Sequence, residues 1–187
     1  MINNMQIVKN TQDVSKFLND DSLDEIKFVN CDFTEADFSS LRISDTVFEK
    51  CNLSLVNFKN TVLNGVKFNK SKVTGIDFGF ISQRFLNIDF NACMIVNSVF
   101  YKINLAKTRF IDCKIEETNF NEMDLNQVDF SGTVFLKSPF IDCNLEKTDF
   151  RRATGYEIDI KSNNLSKARF SLPEAISLLR GLDIEME

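Results

Sequence analysis

The chain has 187 residues, a formal net charge of −5 and no histidine. That length suits one domain, and the missing histidine removes the commonest general base and the commonest metal ligand. Six glycines and two prolines are too few for a hairpin-rich all-β fold, no stretch approaches the roughly 18 apolar residues of a membrane span, and Met1–Asn10 lacks the apolar core of a signal peptide, so a cytoplasmic location is expected.

Residues 1–22 precede any regular pattern. Thr11, followed by Gln12 to Leu18, predicts a short helix with Thr11 as N-cap and Val14, Phe17 and Leu18 on one face. Such a segment would cover the open end of the structure that follows it.

From residue 23 to 170 a large apolar residue recurs every fifth position. The series runs Phe28, Phe33, Phe38, Ile43, Phe48, Leu53, Phe58, Leu63, Phe68, Val73, Phe78, slips by two residues, and resumes as Phe85, Phe90, Ile95, Phe100 through Phe150. A tail at Ile160, Leu165 and Phe170 follows, and of 19 phenylalanines only Phe17 and Phe80 fall outside. A period of five is neither helical nor stranded; a short fixed repeat marks a solenoid whose units bury apolar surface only by stacking. Two residues before each centre the chain is small or β-branched, as at Cys31, Ala36, Thr46, Cys51 and Thr108, and the residues between are polar. The first and third residues of each unit therefore point inward. The slip predicts a small bulge at Gly79–Arg84, with Phe85 returning to the core series.

All five cysteines, Cys31, Cys51, Cys93, Cys113 and Cys143, occupy the small inward column, at spacings foreign to zinc sites. They read as buried free thiols.

Runs such as Ala36-Asp37-Phe38-Ser39, Cys51-Asn52-Leu53-Ser54 and Cys143-Asn144-Leu145-Glu146 resemble the pentapeptide-repeat family, whose consensus is often written A(D/N)LXX. The resemblance implies an all-β solenoid, a right-handed quadrilateral parallel β-helix with four five-residue faces per coil. Phenylalanine recurs every ten residues, half a coil, which predicts Phe stacks on two opposite faces and aliphatic residues mainly on the other two. Residues one coil apart should lie about 4.8 Å apart.

Beyond Phe170, Ser171-Leu172-Pro173-Glu174 matches a capping box, with Ser171 as N-cap and Glu174 at its third helical position. Leu172, Ala175, Ile176, Leu179 and Leu182 form an apolar stripe, Gly181 marks the helix stop, and residues 182–187 alternate apolar and acidic like a strand. Leu178, Ile184 and Met186 exceed what closing the last coil requires. In quinolone-resistance pentapeptide proteins of the Qnr and MfpA types a terminal helix and strand form a twofold dimer. The resemblance implies a homodimer here through Leu172, Ile176, Leu178, Leu179, Leu182, Ile184 and Met186, a monomer cap being the alternative.

Charge falls in bands. Residues 1–49 carry net −6, residues 50–110 net +7, residues 111–149 net −6, and residues 150–187 balance. No nucleophile motif, glycine-rich phosphate loop or metal-site pattern is present, so no catalytic, cofactor-binding or metal-binding residue is assigned and a non-enzymatic role is expected. A pI of 4.9 disfavours direct nucleic-acid binding, and no outward aromatic ladder is expected. Two readings remain. The resemblance to the Qnr and MfpA types implies a DNA mimic that binds a type II topoisomerase (DNA gyrase or topoisomerase IV) through its acidic band: Asp112, Glu116, Glu117, Glu122, Asp124, Asp129, Asp142, Glu146 and Asp149. The other is a structural or adaptor rod with a different protein partner. Neither involves a small-molecule substrate or a membrane.

Overall fold

The computed structural model describes residues 5–182. The chain winds into a quadrilateral parallel β-helix of about eight coils. Its first face is a six-stranded parallel sheet that begins with Gln6–Lys9, Ile26–Val29 and Val47–Glu49. In it Val8 pairs with Phe28, Phe28 with Phe48, Phe48 with Phe68, Phe68 with Phe90, and Phe90 with Phe110. The second face stacks Lys72–Thr74, Met94–Val96, Lys114–Glu116 and Val134–Leu136. The third stacks Val99–Tyr101, Asn119–Asn121, Pro139–Ile141 and Glu157–Ile158. Ser22–Asp24, Arg42–Ser44 and Val62–Asn64 start the fourth, which single bridges from Asn104 to Asp124, Asn144 and Asn164 continue.

A five-residue unit makes this shape because three extended residues point in, out and in, and the unit then has to turn. The residue two after each centre makes the turn with positive φ, as at Asn30 (55°), Glu35 (60°), Ser40 (63°) and Lys50 (54°). For an L-residue other than glycine that conformation costs roughly 1–2 kcal/mol. It is offset by backbone hydrogen bonds to the next coil: the Glu35 N–H donates to the Ser54 carbonyl at 2.8 Å and the Lys50 N–H to Asn69 at 2.8 Å.

Phenylalanines fill the axis as expected, stacked on the first and third faces. Phe48 and Phe68 lie 5.4 Å apart at 10°, and Phe100 and Phe120 5.5 Å apart at 3°. The two stacks meet edge to face across the core, as Phe100 and Phe110 do at 5.9 Å and 88°. Each such pair contributes about 0.5–1.5 kcal/mol beyond its burial. The small column admits hydroxyls and thiols because a carbonyl of the preceding coil waits there. Thr61 Oγ1 donates to Phe38 O at 2.7 Å, and Thr148 Oγ1 to Leu125 O at 2.8 Å. All five cysteines are buried and unbonded; burial pushes the Cys51 thiol up to about 12.

Four expectations are corrected. The amino-terminal segment is not a separate helix: Gln6–Lys9 is a strand of the first sheet, and only Ser15–Phe17 makes a helical turn. Thr11 does not cap it. The N-cap is Val14, and Asp13 before it accepts from the Ser15 N–H at 3.0 Å and the Ser15 hydroxyl at 2.6 Å. Val14 is buried, and Phe17 and Leu18 pack on the core, as their spacing suggested.

The slip overlaps only the end of the expected Gly79–Arg84 bulge and extends beyond it. Val62 still pairs with Ser82, twenty residues on, whereas Val66 pairs with Ile88, twenty-two on, so the extra residues enter between Ser82 and Ile88. Phe85 does not rejoin the core: it sits at φ 60° with 67% of its surface exposed. Leu86 packs inward instead. The two extra residues between Ser82 and Ile88 move the inward position from Phe85 to Leu86.

A second, unpredicted shift occurs in the last coil. Ile158, not Ile160, pairs with Phe140, and the register recovers by Asn164.

The carboxy-terminal segment Glu174–Leu182 is a 3₁₀ helix that runs through Gly181 rather than stopping there. Its capping box is not local. Glu174 Oε1 accepts from the Gly155 N–H at 2.7 Å, and Ser171 Oγ from the Arg152 N–H at 3.3 Å. These side chains stand in for the carbonyls of an absent next coil. Leu178 packs against the core, and Leu179 is half-buried. Leu172, Ile176 and Leu182 point to solvent, 80%, 45% and 42% exposed, the reverse of the division expected for Leu178. Ile184 and Met186 lie outside the described residues.

Candidate partner-binding surfaces

Because the inside is filled, any recognition must use outward positions. The nine acids of residues 111–149 do not gather on one face; the coil distributes them around the rod. Asp112, Glu117, Glu122 and Asp142 occupy corner positions with φ of 51°, 48°, 52° and 54°. The first three are five residues apart, so they take three successive corners of one coil. Corner side chains project furthest from the axis.

Asp124, Asp129 and Asp149 precede a core centre, and each turns its carboxylate back onto the chain. They accept from the backbone N–H groups of Asn126 (3.2 Å), Ser131 (2.9 Å) and Arg151 (3.0 Å). Asn144 Nδ2 also donates to Asp124 at 3.0 Å. These three acids therefore build turns.

Ion pairs offset others. Lys114 lies 2.8 Å from Glu116, Lys137 3.0 Å from Glu117, Lys102 3.4 Å from Glu122, Lys147 2.7 Å from Glu146, and Arg151 2.6 Å from Asp149. The Lys147 hydrogen bond holds the Glu146 carboxyl below its ordinary range. For Asp149, burial raises the pKa but the Arg151 hydrogen bonds outweigh it, and the net shift is downward. Exposed pairs of this kind are worth about 0–1 kcal/mol, so a cationic partner can displace them. Among the described residues Asp112 and Asp142 have neither an ion pair nor a side-chain hydrogen bond.

An outward aromatic surface was not expected, yet exposed aromatic residues stand on either side of Ser82, where the slip begins. Phe80 is 62%, Phe85 67% and Tyr101 43% exposed. Two signals pointed there: Phe80 lay outside the series, and the phase broke next to it. Among the described residues no cluster of metal-ligating side chains is present, and no helix is long and apolar enough to cross a membrane.

The stacked coils, each of four five-residue faces, define a pentapeptide-repeat solenoid. The family of the pentapeptide repeat region matches residues 22–84 and 83–160, and the chain belongs to it. No curated protein sequence matches the chain. Among solved structures it is similar to two trypsin-treated variants of QnrB1, a plasmid-mediated fluoroquinolone resistance protein. One superimposes with a TM-score of 0.69 at 20% identity, covering 97% of this chain and 98% of that one. The other gives 0.55 at 19% identity, covering 98% and 100%. At this identity the likeness is one of fold.

Proposed function

We propose that this is a non-enzymatic, DNA-mimicking protein of the cytoplasm that binds a type II topoisomerase, DNA gyrase or topoisomerase IV, and protects it from fluoroquinolones. The observation that carries the reading is the ring of corner carboxylates at Asp112, Glu117 and Glu122, continued by Asp142 one coil on. They sit on the outer edges of a narrow rod, as phosphates sit on the outside of a duplex. A basic DNA-binding groove would meet negative charge from several sides, and its field would steer the encounter. Glu117 and Glu122 are freed as the partner displaces Lys137 and Lys102, Glu116 and Glu146 add to the ring in the same way, and Asp124, Asp129 and Asp149 shape the turns beneath it. The superposition on QnrB1, a fluoroquinolone resistance protein, supports the same reading.

The exposed side chains of Leu172, Ile176 and Leu182 form the proposed dimer seam, joining two rods at their carboxy-terminal ends. A second copy would cover apolar groups that the last coil leaves in water.

Reversing the corner charges with Asp112→Lys, Glu117→Lys and Glu122→Lys together tests the reading. The exposed positions should leave the circular dichroism spectrum unchanged. Affinity for purified gyrase should fall by at least about a hundredfold, the sum of three lost charge contacts of roughly 1 kcal/mol each. Undiminished binding would refute the role of the ring. Outward apolar residues such as Met94, Val134, Leu136 and Ile141 (44–46% exposed) favour the second reading, an adaptor for another protein. Absence of any gyrase binding by the native chain would select it.

A further inference from the structure

The basic section between the two acidic bands plays no part in a DNA-like surface, and it carries the bulge. Two contacts tie this segment to the next coil. Gly79 lies against Tyr101 of the next coil, and Gln83 Nε2 donates to the Lys102 carbonyl at 3.0 Å. Phe80, next to Gly79, and Phe85, two residues on from Gln83, are both exposed. A groove of about 560 Å³ opens alongside, with Phe85, Leu86, Ala106 and Lys107 among its walls.

Cations frame the rings. The Arg84 guanidinium lies 5.1 Å from the centre of the Phe85 ring, and Lys102 Nζ 4.8 Å from that of Tyr101. Lys102 is shared with Glu122 and Arg109 with Asp89, but among the described residues Arg84 and Lys107 have no carboxylate partner. Exposed aromatic rings beside unpaired cations form a surface that is apolar and positive at once. Exposed aromatic side chains with arginine are the groups that most often anchor protein interfaces.

The geometry points to a docking site for a short acidic segment of a partner protein, with carboxylates on Arg84 and Lys107 and an apolar side chain in the groove between Phe85 and Ala106. Charge complementarity selects an acidic occupant. The axial extent of the positive section selects a short one: net +7 over residues 50–110 is bounded by net −6 on either side. A nucleic-acid strand following the rod would run into carboxylates at both ends of that section. A peptide places its charges only where the cations are.

The test uses the full chain and fluorescence anisotropy with a labelled peptide of glutamates interspersed with leucines. A lysine-for-glutamate version and a labelled oligo-dT are compared in parallel. The glutamate peptide should bind, and more weakly as salt rises. Affinity should fall at least about tenfold both in the Phe80→Ser, Phe85→Ser double variant and in the Arg84→Glu, Lys107→Glu double variant. The site is refuted if the glutamate peptide fails to bind, if the lysine peptide or oligo-dT binds as well, or if both variants bind undiminished. Neither variant touches the corner carboxylates, so topoisomerase binding can persist or fail independently of this result.

Discussion

Replacing Phe110 with alanine probes the stacking that organises the rod. Phe110 is fully buried, with Phe90 at 4.8 Å on one side and Phe130 at 5.1 Å on the other. It also meets Phe100 and Phe120 edge to face at 5.9 and 6.4 Å. Deleting a buried phenylalanine side chain costs about 3–5 kcal/mol. The upper end applies here, because the flanking rings are held by backbone registers on both sides and cannot collapse into the space. Those registers pair Arg109 with Asp89 and, one coil on, with Asp129. Urea denaturation followed by far-ultraviolet circular dichroism reads the change as a lower midpoint at unchanged slope. Phe170 is the built-in comparison. It stacks on Phe150 at 5.2 Å but is partly exposed at the end of the column, so Phe170→Ala should cost less than half as much. A loss below about 1 kcal/mol for Phe110→Ala, or equal losses at both positions, would refute the idea that continuous ring stacks hold the coils together.

Gly155 has φ 70°, and a Cβ there would strike the Phe135 carbonyl, which is backbone and cannot yield; at Gly132 it would strike only the Asp112 carboxylate, the end of a side chain. Gly155→Ala should therefore destabilise by about 1–3 kcal/mol and Gly132→Ala by less, in the same denaturation assay. Acid should weaken the fold. Hydrogen bonds from Ser39 and Lys27 hold the Asp37 and Glu49 carboxyls below their usual range, so the stability they contribute is complete above the unfolded carboxylate pKa of about 4 and is lost as pH falls through the lower folded values. A melting temperature that rose on acidification from pH 5 to pH 3 would contradict this. Ile176→Asp should convert a dimer into a monomer in light scattering at unchanged circular dichroism; a native chain of monomer mass would remove the proposed seam.

The interior was legible because one backbone unit repeats. Once Phe28, Phe48 and Phe68 are known to share a column, the inward residues follow wherever the register is unbroken, including the five cysteines. The 20-residue coil also makes cross-coil pairs readable, since Lys137 faces Glu117 and Arg109 faces Asp89. What escaped was decided between neighbours of similar chemistry or by distant partners. Phe85 and Leu86 are both apolar, and the exact place of the two extra residues decides which one turns inward. Ser171 and Glu174 carry a genuine local capping pattern, but the unpaired N–H groups of Arg152 and Gly155 claim both side chains first. The amino-terminal strand was hidden because Gln6–Lys9 offers only Val8 to the core. Among the acids, sequence alone could not separate Asp124, Asp129 and Asp149, which close turns, from Asp112 and Asp142, which stand free.

We propose that the rod, ringed with corner carboxylates, occupies the DNA site of a type II topoisomerase. A gyrase supercoiling assay, run with and without a fluoroquinolone, tests it most directly. The account predicts that the native protein at micromolar concentration inhibits supercoiling or restores it in the presence of drug, and that the Asp112→Lys, Glu117→Lys, Glu122→Lys variant does neither. No inhibition and no protection by the native protein would contradict it.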